Sequence, residues 1–208
     1  TLGEAVQEAA LKALADAKTE PDELDLIIVA TLTSDCIVPS TACILQDRLG
    51  AHHAAAFDLV AACSGFVYAS TVAAQFIESG VYKKVLVIGA ETLSKYVDWE
   101  DRNTCVLFGD GAGAAVYGPV DPGYGILSFD LGSDGSGADF LGIPSSGSKY
   151  PVDEEMIAKK MNRIHMNGKE VFKFAVRVLG ATVQRSLADA GLKKGDIDWL
   201  VPNQANTR

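Results

Sequence analysis

Two runs constrain the fold of this chain more than any other feature: residues 24–30, LDLIIVA, and residues 84–90, KVLVIGA. Both are short, almost continuously apolar and rich in β-branched side chains, the pattern of a strand covered on both faces in a parallel sheet. Parallel neighbours cannot be joined by a tight hairpin; each needs a crossover, usually a helix. The rest of the first half supplies them. Residues 3–17 carry Val6, Ala10, Leu11, Leu14 and Ala17 at spacings of three and four, which predicts an amphipathic helix that breaks at Pro21. After a polar loop over 31–39, Ser40 reads as the N-cap of a short helix ending at Gly50, and residues 54–59 read as another strand. A helix follows Cys63 and runs to about Gly80. Strand, helix, strand, helix and strand in that order predict an α/β layered sheet.

From Glu91 the texture changes. A mixed polar loop reaches Thr104, and CVLFGDGAGAAVYG is expected to turn through its glycines into a strand over 112–117. Gly109, Gly111 and Gly113 do not make a phosphate loop, since no GK[ST] follows and the run leads into a strand rather than out of one into a helix. Residues 125–131 read as an antiparallel strand and 132–150 as a surface loop. A long helix is expected over 168–190, with Val171, Ala175, Val178, Leu179, Thr182, Val183 and Leu187 as one buried stripe and Gly191 as its stop. Residues 198–201, DWLV, read as a strand. ALADAKTEPDELDLIIVA and SLADAGLKKGDIDWLVPN share spacing and character, so an internal repeat is expected, the same element in two halves of one fold.

At 208 residues and 48% apolar, the chain can fill one large core or two smaller ones. A net charge of −9 and a pI near 4.8, with no cluster of Lys and Arg, argue against a nucleic-acid partner. Cys36, Cys43, Cys63 and Cys105 make no CxxC pair and no metal-like group with His52, His53 or His165, so free thiols in a reducing cytoplasm fit better than disulfides or zinc. No apolar run approaches a membrane span and no signal peptide is visible. The chain opens at Thr1 within a helix-like stretch and is expected to be a piece of a longer protein.

The chemistry is expected in residues 58–70, DLVAACSGFVYAS. A strand runs into small residues and Cys63, after which Ser64 and Gly65 open a helix. Unpaired N–H groups and the dipole at a helix start favour negative charge, hence the thiolate, the nucleophilic form of sulfur. Ala61, Ala62 and Gly65 leave room for an acyl group and for backbone N–H groups near a developing oxyanion. Cys63 is therefore the candidate nucleophile; the alternative is a small buried core residue.

AACSGF, the repeat, CVLFGDGAGAAV and the closing VPNQANTR together resemble the thiolase superfamily, most closely its β-ketoacyl-acyl carrier protein synthase III family. The resemblance implies a thiolase-like five-layered αβαβα fold with two similar βαβαβ halves, incomplete at both ends. Residues 1–118 would be the N-terminal half without its first strand and helix, and 119–208 a linker and the start of the C-terminal half. It also implies a homodimeric acyltransferase of bacterial type II fatty acid synthesis. Acyl-CoA, usually acetyl-CoA, acylates Cys63, and malonyl-acyl carrier protein then condenses with loss of carbon dioxide. Acyl-CoA is a substrate, and no cofactor is implied.

The family closes its motif as PHQAN, with the catalytic His after Pro, whereas this chain has Pro202, Asn203 and Gln204. Asn203 occupies the His position, the family's catalytic Asn lies beyond Arg208, and Asn206 belongs to the QAN part of the His motif. Acylation is thus expected to survive and condensation to be impaired. By the same resemblance, Arg102 packs against the CoA adenine, Phe108 lies beside the acyl channel and Val38 reaches across the dimer to close the partner's acyl pocket. Met166 and Gly168 line the pantetheine tunnel, and Arg208 meets the carrier protein. For Arg102 a solvated loop, and for Phe108 and Met166 ordinary packing, remain open. Two alternatives also stand: a Cys-dependent acyltransferase to an oxygen or nitrogen acceptor, and a non-catalytic acyl-binding or dimerisation subunit.

Overall fold

A computed structural model describes residues 1–204, which divide into two compact units. The first comprises Thr1–Thr92 with Asp110–Ile126, the second Leu93–Gly109 with the residues from Leu127 onward. The halves expected at 1–118 and 119–208 concern the repeat rather than compactness, and these units do not bear on them.

In the first unit, β1 (Leu26–Ala30), β2 (Ala55–Leu59) and β3 (Val85–Thr92) are parallel, and β4 (Asp110–Tyr117) runs antiparallel to β3. The order is β2-β1-β3-β4. The crossovers are α2 (Thr41–Leu49) and α3 (Gly65–Glu78), while α1 (Leu2–Asp16) precedes β1. Strand alternation divides the core in two. Ile27, Val29, Leu86, Ile88 and Ala90 pack with Leu2, Val6, Ala10 and Leu14 of α1 and with Ala42 and Leu45 of α2. Leu26, Ile28, Ala30, Val85 and Val87 pack with Ala69 and Ala73 of α3 on the opposite face. All five residues of β1 are buried, as the sequence predicts, and each large side chain among them contributes about 1.5–3 kcal/mol.

The α1 stripe departs from expectation. Leu11 and Ala17 are exposed and Leu2 is buried instead, because Leu2, Val6, Ala10 and Leu14 share one line along the helix while Leu11 is turned away from it. Thr1 and Glu4 form a capping box at its start. β4 also begins two residues earlier than predicted, so that Gly111 and Gly113 lie within the strand rather than in a turn. The ladder explains this: β3 extends to Glu91 and Thr92, which pair with Gly111 and Asp110.

The second unit holds α4 (Glu154–Ala158), α5 (Gly168–Asp189) and a two-stranded ribbon of β5 (Leu141–Gly142) and β6 (His165–Met166). Neither the ribbon nor α4 is signalled by periodicity, since each is too short to have one. The strand expected over 125–131 is absent. That segment is irregular and bonds to α5 instead: the Ser128 hydroxyl donates to the Ser186 carbonyl at 2.7 Å, and the Arg185 guanidinium donates to both oxygens of Asp130. The α5 stripe has the predicted spacing but is only half-buried, with Leu179 55% exposed, because no sheet covers it among the described residues. DWLV likewise forms no strand; Trp199, Leu200 and Val201 are exposed, and a strand requires a neighbour to take its backbone hydrogen bonds.

The repeat is visible in local hydrogen bonding. After α1, Lys18 turns with φ 50°, Thr19 N–H donates to Leu14 and Glu20 N–H to the Glu23 carboxylate. After α5, Gly191 turns with φ 68°, Leu192 N–H donates to Leu187 and Lys193 N–H to the Asp196 carboxylate. In both copies a short 3-10 turn follows, at Pro21–Glu23 and Lys194–Asp196.

Candidate active site

The carboxyl ends of β1, β2 and β3 lie at one edge of the sheet, where open parallel sheets form ligand crevices. Cys63 lies at this edge. β2 ends at Leu59, Ala62–Ser64 makes a 3-10 turn and α3 starts at Gly65, so the thiol stands two residues ahead of the helix. Ser64 makes no side-chain cap, which leaves the helix start without that internal acceptor. The sulfur is exposed, so the alternative of a buried core cysteine does not describe it.

Ala62 has φ 47°, a left-handed conformation that costs an L residue about 1–2 kcal/mol and is tolerated here by a small side chain. Only the run of small residues hints at it in the sequence. The turn is anchored on both sides. Before it, the carbonyl of Leu59 accepts the N–H of Thr31 at 3.1 Å, tying β2 to the end of β1. After it, Gly65 rests on β1: a Cβ at Gly65 would lie 3.0 Å from Ala30 Cβ.

Two acidic residues at this edge escape sequence reasoning because their partners are distant in the chain. Asp58 accepts the N–H groups of Thr41 and Ala42, both at 2.8 Å, and so caps α2 together with Ser40. Glu91 accepts the N–H of Leu32 at 3.0 Å and the hydroxyl of Thr33 at 2.5 Å. Val38 lies in the same unit, on the loop between β1 and α2, and is 81% exposed.

The second unit carries the remaining candidates within the described residues. Arg102 is exposed and makes no ion pair among the described residues; the Asp101 carboxylate shapes its turn by accepting the Asn103 N–H and the Thr104 hydroxyl. Those bonds hold the Asp101 carboxyl below its ordinary value. Phe108 and Met166 are half-buried, and Gly168 starts α5 beside Met166, with Asn167 as N-cap. Asn203 is exposed in irregular chain. Arg208 and Asn206 lie outside the described residues. His165 Nε2–H donates to the Lys160 carbonyl, 2.9 Å away, and the His52 backbone N–H donates to the Asp22 carboxylate. Lys160 pairs with Asp98 and Glu100, which raises its own pKa and, at Asp98, lowers the carboxyl.

Comparison with known proteins agrees with the fold. The family model described as 3-oxoacyl-[acyl-carrier-protein] synthase III matches residues 57–135. The chain is 58% identical over 207 residues to a β-ketoacyl-acyl carrier protein synthase III of Desulfitobacterium hafniense, covering 100% of this chain and 62% of the relative. It is 56% identical over 201 residues to one from Caldanaerobacter subterraneus, covering 97% and 61%. Among solved structures, the 3-oxoacyl-acyl carrier protein synthase III of Aquifex aeolicus superposes with a TM-score of 0.83 at 45% identity, over 95% of this chain and 59% of that one. That of Pseudomonas aeruginosa superposes with a TM-score of 0.88 at 39% identity, over 99% and 61%. The chain thus spans about three fifths of the length of the relatives it matches.

Proposed function

From the premise that this chain belongs to the thiolase-like β-ketoacyl-acyl carrier protein synthase III family, we propose that it is the acyl-accepting part of a cytoplasmic, homodimeric condensing enzyme that starts fatty acid synthesis. The observation that carries the reading is Cys63: an exposed thiol on a strained turn, at the opening of α3 and the carboxyl edge of a parallel sheet. Its thiolate attacks the carbonyl of acyl-CoA and forms a carbon–sulfur bond. Backbone N–H groups at the start of α3 stabilise the oxyanion. Collapse breaks the bond to CoA sulfur, which leaves as thiolate and takes up a proton. Arg102, Phe108, Met166 and Gly168 serve the CoA and acyl chain, Val38 the partner's pocket, and Arg208 the carrier protein.

Condensation with malonyl-acyl carrier protein asks for more. Loss of carbon dioxide leaves an enolate whose oxygen must be stabilised before its carbon attacks the acyl group on Cys63. At the family's His position, Asn203 offers a shorter amide donor at a different point, and losing one such donor costs about 3 kcal/mol, roughly a hundredfold in rate. Acylation therefore outlasts condensation in this chain. The test is mass spectrometry after acetyl-CoA, with a malonyl-carrier condensation assay on the protein and on Asn203→His. An acetyl adduct at Cys63, with condensation rising about a hundredfold in the variant, is expected. No adduct at Cys63 would sink the reading, whereas an adduct that passes to an oxygen or nitrogen acceptor with no condensation in either protein would favour the acyltransferase alternative.

A further inference from the structure

β1 and β3 part company at Ala30, paired with Gly89, while β3 continues against β4 as far as Thr92. Just past that fork the ladder is replaced by side chains. One Glu91 oxygen accepts the Leu32 N–H at 3.0 Å; the other accepts the hydroxyls of Thr33 at 2.5 Å and Thr31 at 3.4 Å. The Thr33 oxygen in turn accepts the Thr92 N–H at 2.9 Å, and Thr31 and Thr33 are each 3% exposed. A half-buried carboxylate thus closes the end of β1, fully engaged by donors on that strand's continuation.

What stands on that strand end is the Cys63 turn. Its upstream anchor is Leu59, held by the Thr31 N–H, and its downstream anchor is Gly65, resting on Ala30. One anchor bears on Thr31, whose hydroxyl is itself in the Glu91 clamp, and the other on Ala30, the residue before it. We infer that Glu91 is a positioning residue for Cys63, setting where the thiol stands by fixing the end of β1. For acyl transfer the consequence rests on the function proposed above, but the positional claim does not depend on it.

The experiment separates the two. Glu91→Gln keeps the size of the side chain but turns one acceptor into a donor facing another donor; Thr33→Val removes the bridging hydroxyl, and Thr33→Ser retains it. In the full chain, iodoacetamide alkylation is followed at each cysteine by peptide mass spectrometry, alongside acetyl loading from acetyl-CoA. Cys63 is already exposed, so a displaced thiol has orientation to lose and little access to gain. Glu91→Gln and Thr33→Val are expected to slow Cys63 alkylation and acetyl loading about tenfold, without summing in the double variant, while Thr33→Ser stays near the parent. Cys43, on α2 and held by the Asp58 and Ser40 caps, is the internal control and keeps its rate. Cys63 and Cys43 changing together, or neither changing, overturns the inference. If the parent protein takes no acetyl group while Cys63 alkylation still responds selectively to Glu91→Gln, the positional claim stands and the acyl-transfer reading fails.

Discussion

Replacing Gly65 with Ala tests whether the site depends on how closely α3 approaches β1. The new Cβ would sit 3.0 Å from Ala30 Cβ and 3.9 Å from Ala30 Cα. Unstrained carbon atoms prefer about 3.5–4.0 Å, so a gap of about 0.5–1 Å must open. Ala30 cannot supply it. It is 4% exposed, its Cβ has no rotamer to change, and its backbone is paired with both Leu59 and Gly89. The first turn of α3 must therefore move, and the Cys63 turn with it. Overpacking of this size costs about 1–3 kcal/mol, against a helix-propensity gain of at most about 1 kcal/mol from removing glycine. The net is a loss of about 1–2 kcal/mol, a fall in melting temperature of several degrees and a folded protein at room temperature. Catalysis is the more sensitive readout, since a thiol misplaced by about 1 Å costs on the order of a hundredfold. Thermal melts and the acetyl-loading rate of Cys63 are the two measurements. Ala30→Gly removes the atom that clashes, so the double variant should recover loading even though a strand glycine costs about 1 kcal/mol. A loading rate for Gly65→Ala within twofold of the parent, or a double variant no faster than the single one, would refute the reasoning.

Other consequences are smaller in scope. Asp58→Asn leaves one of the Thr41 and Ala42 N–H groups facing an amide donor and should cost about 1–2 kcal/mol; an unchanged urea midpoint would rule out the cap. At Ala62, φ 47° makes a β-branched side chain much worse than glycine, so Ala62→Val should lose about 2 kcal/mol and Ala62→Gly nothing comparable, as read by thermal melts. The ion pairs of the second unit carry a pH signature. The Arg185 hydrogen bonds lower the Asp130 carboxyl, and the Lys160 hydrogen bond lowers Asp98, so their stabilisation is present above about pH 4 and fades as pH falls through the depressed values. Lys160 is raised by Asp98 and Glu100, so its contribution is full below about pH 10 and fades as pH rises through the raised value. Melting temperatures should form a plateau that drops on both flanks, and Lys160→Met should flatten the alkaline one; an unaltered alkaline flank would contradict the pairing.

Much of the first unit was legible in the residues, because a helix periodicity and a doubly apolar strand are short-range patterns. The capping of α2 by Ser40, the all-buried β1 and the location of Cys63 ahead of α3 followed from neighbours in sequence. What escaped was long-range: the Asp58 cap reaches 16 and 17 residues back along the chain, and the Glu91 clamp 58 to 60 residues. The left-handed Ala62 and the contact of Gly65 with Ala30 exist only once strands and helix are assembled.

The repeat draws the line most sharply. Both copies carry an apolar run after a helix, a left-handed turn and a carboxylate-closed 3-10 turn, and sequence alone was enough to set all of those, since each closes its hydrogen bonds within a few residues. In the first copy the run is β1, buried between β2 and β3; in the second, DWLV remains exposed and unpaired among the described residues. A strand's backbone groups must be met by another strand, so near-equivalent sequences reach different ends according to the neighbours that the tertiary structure provides.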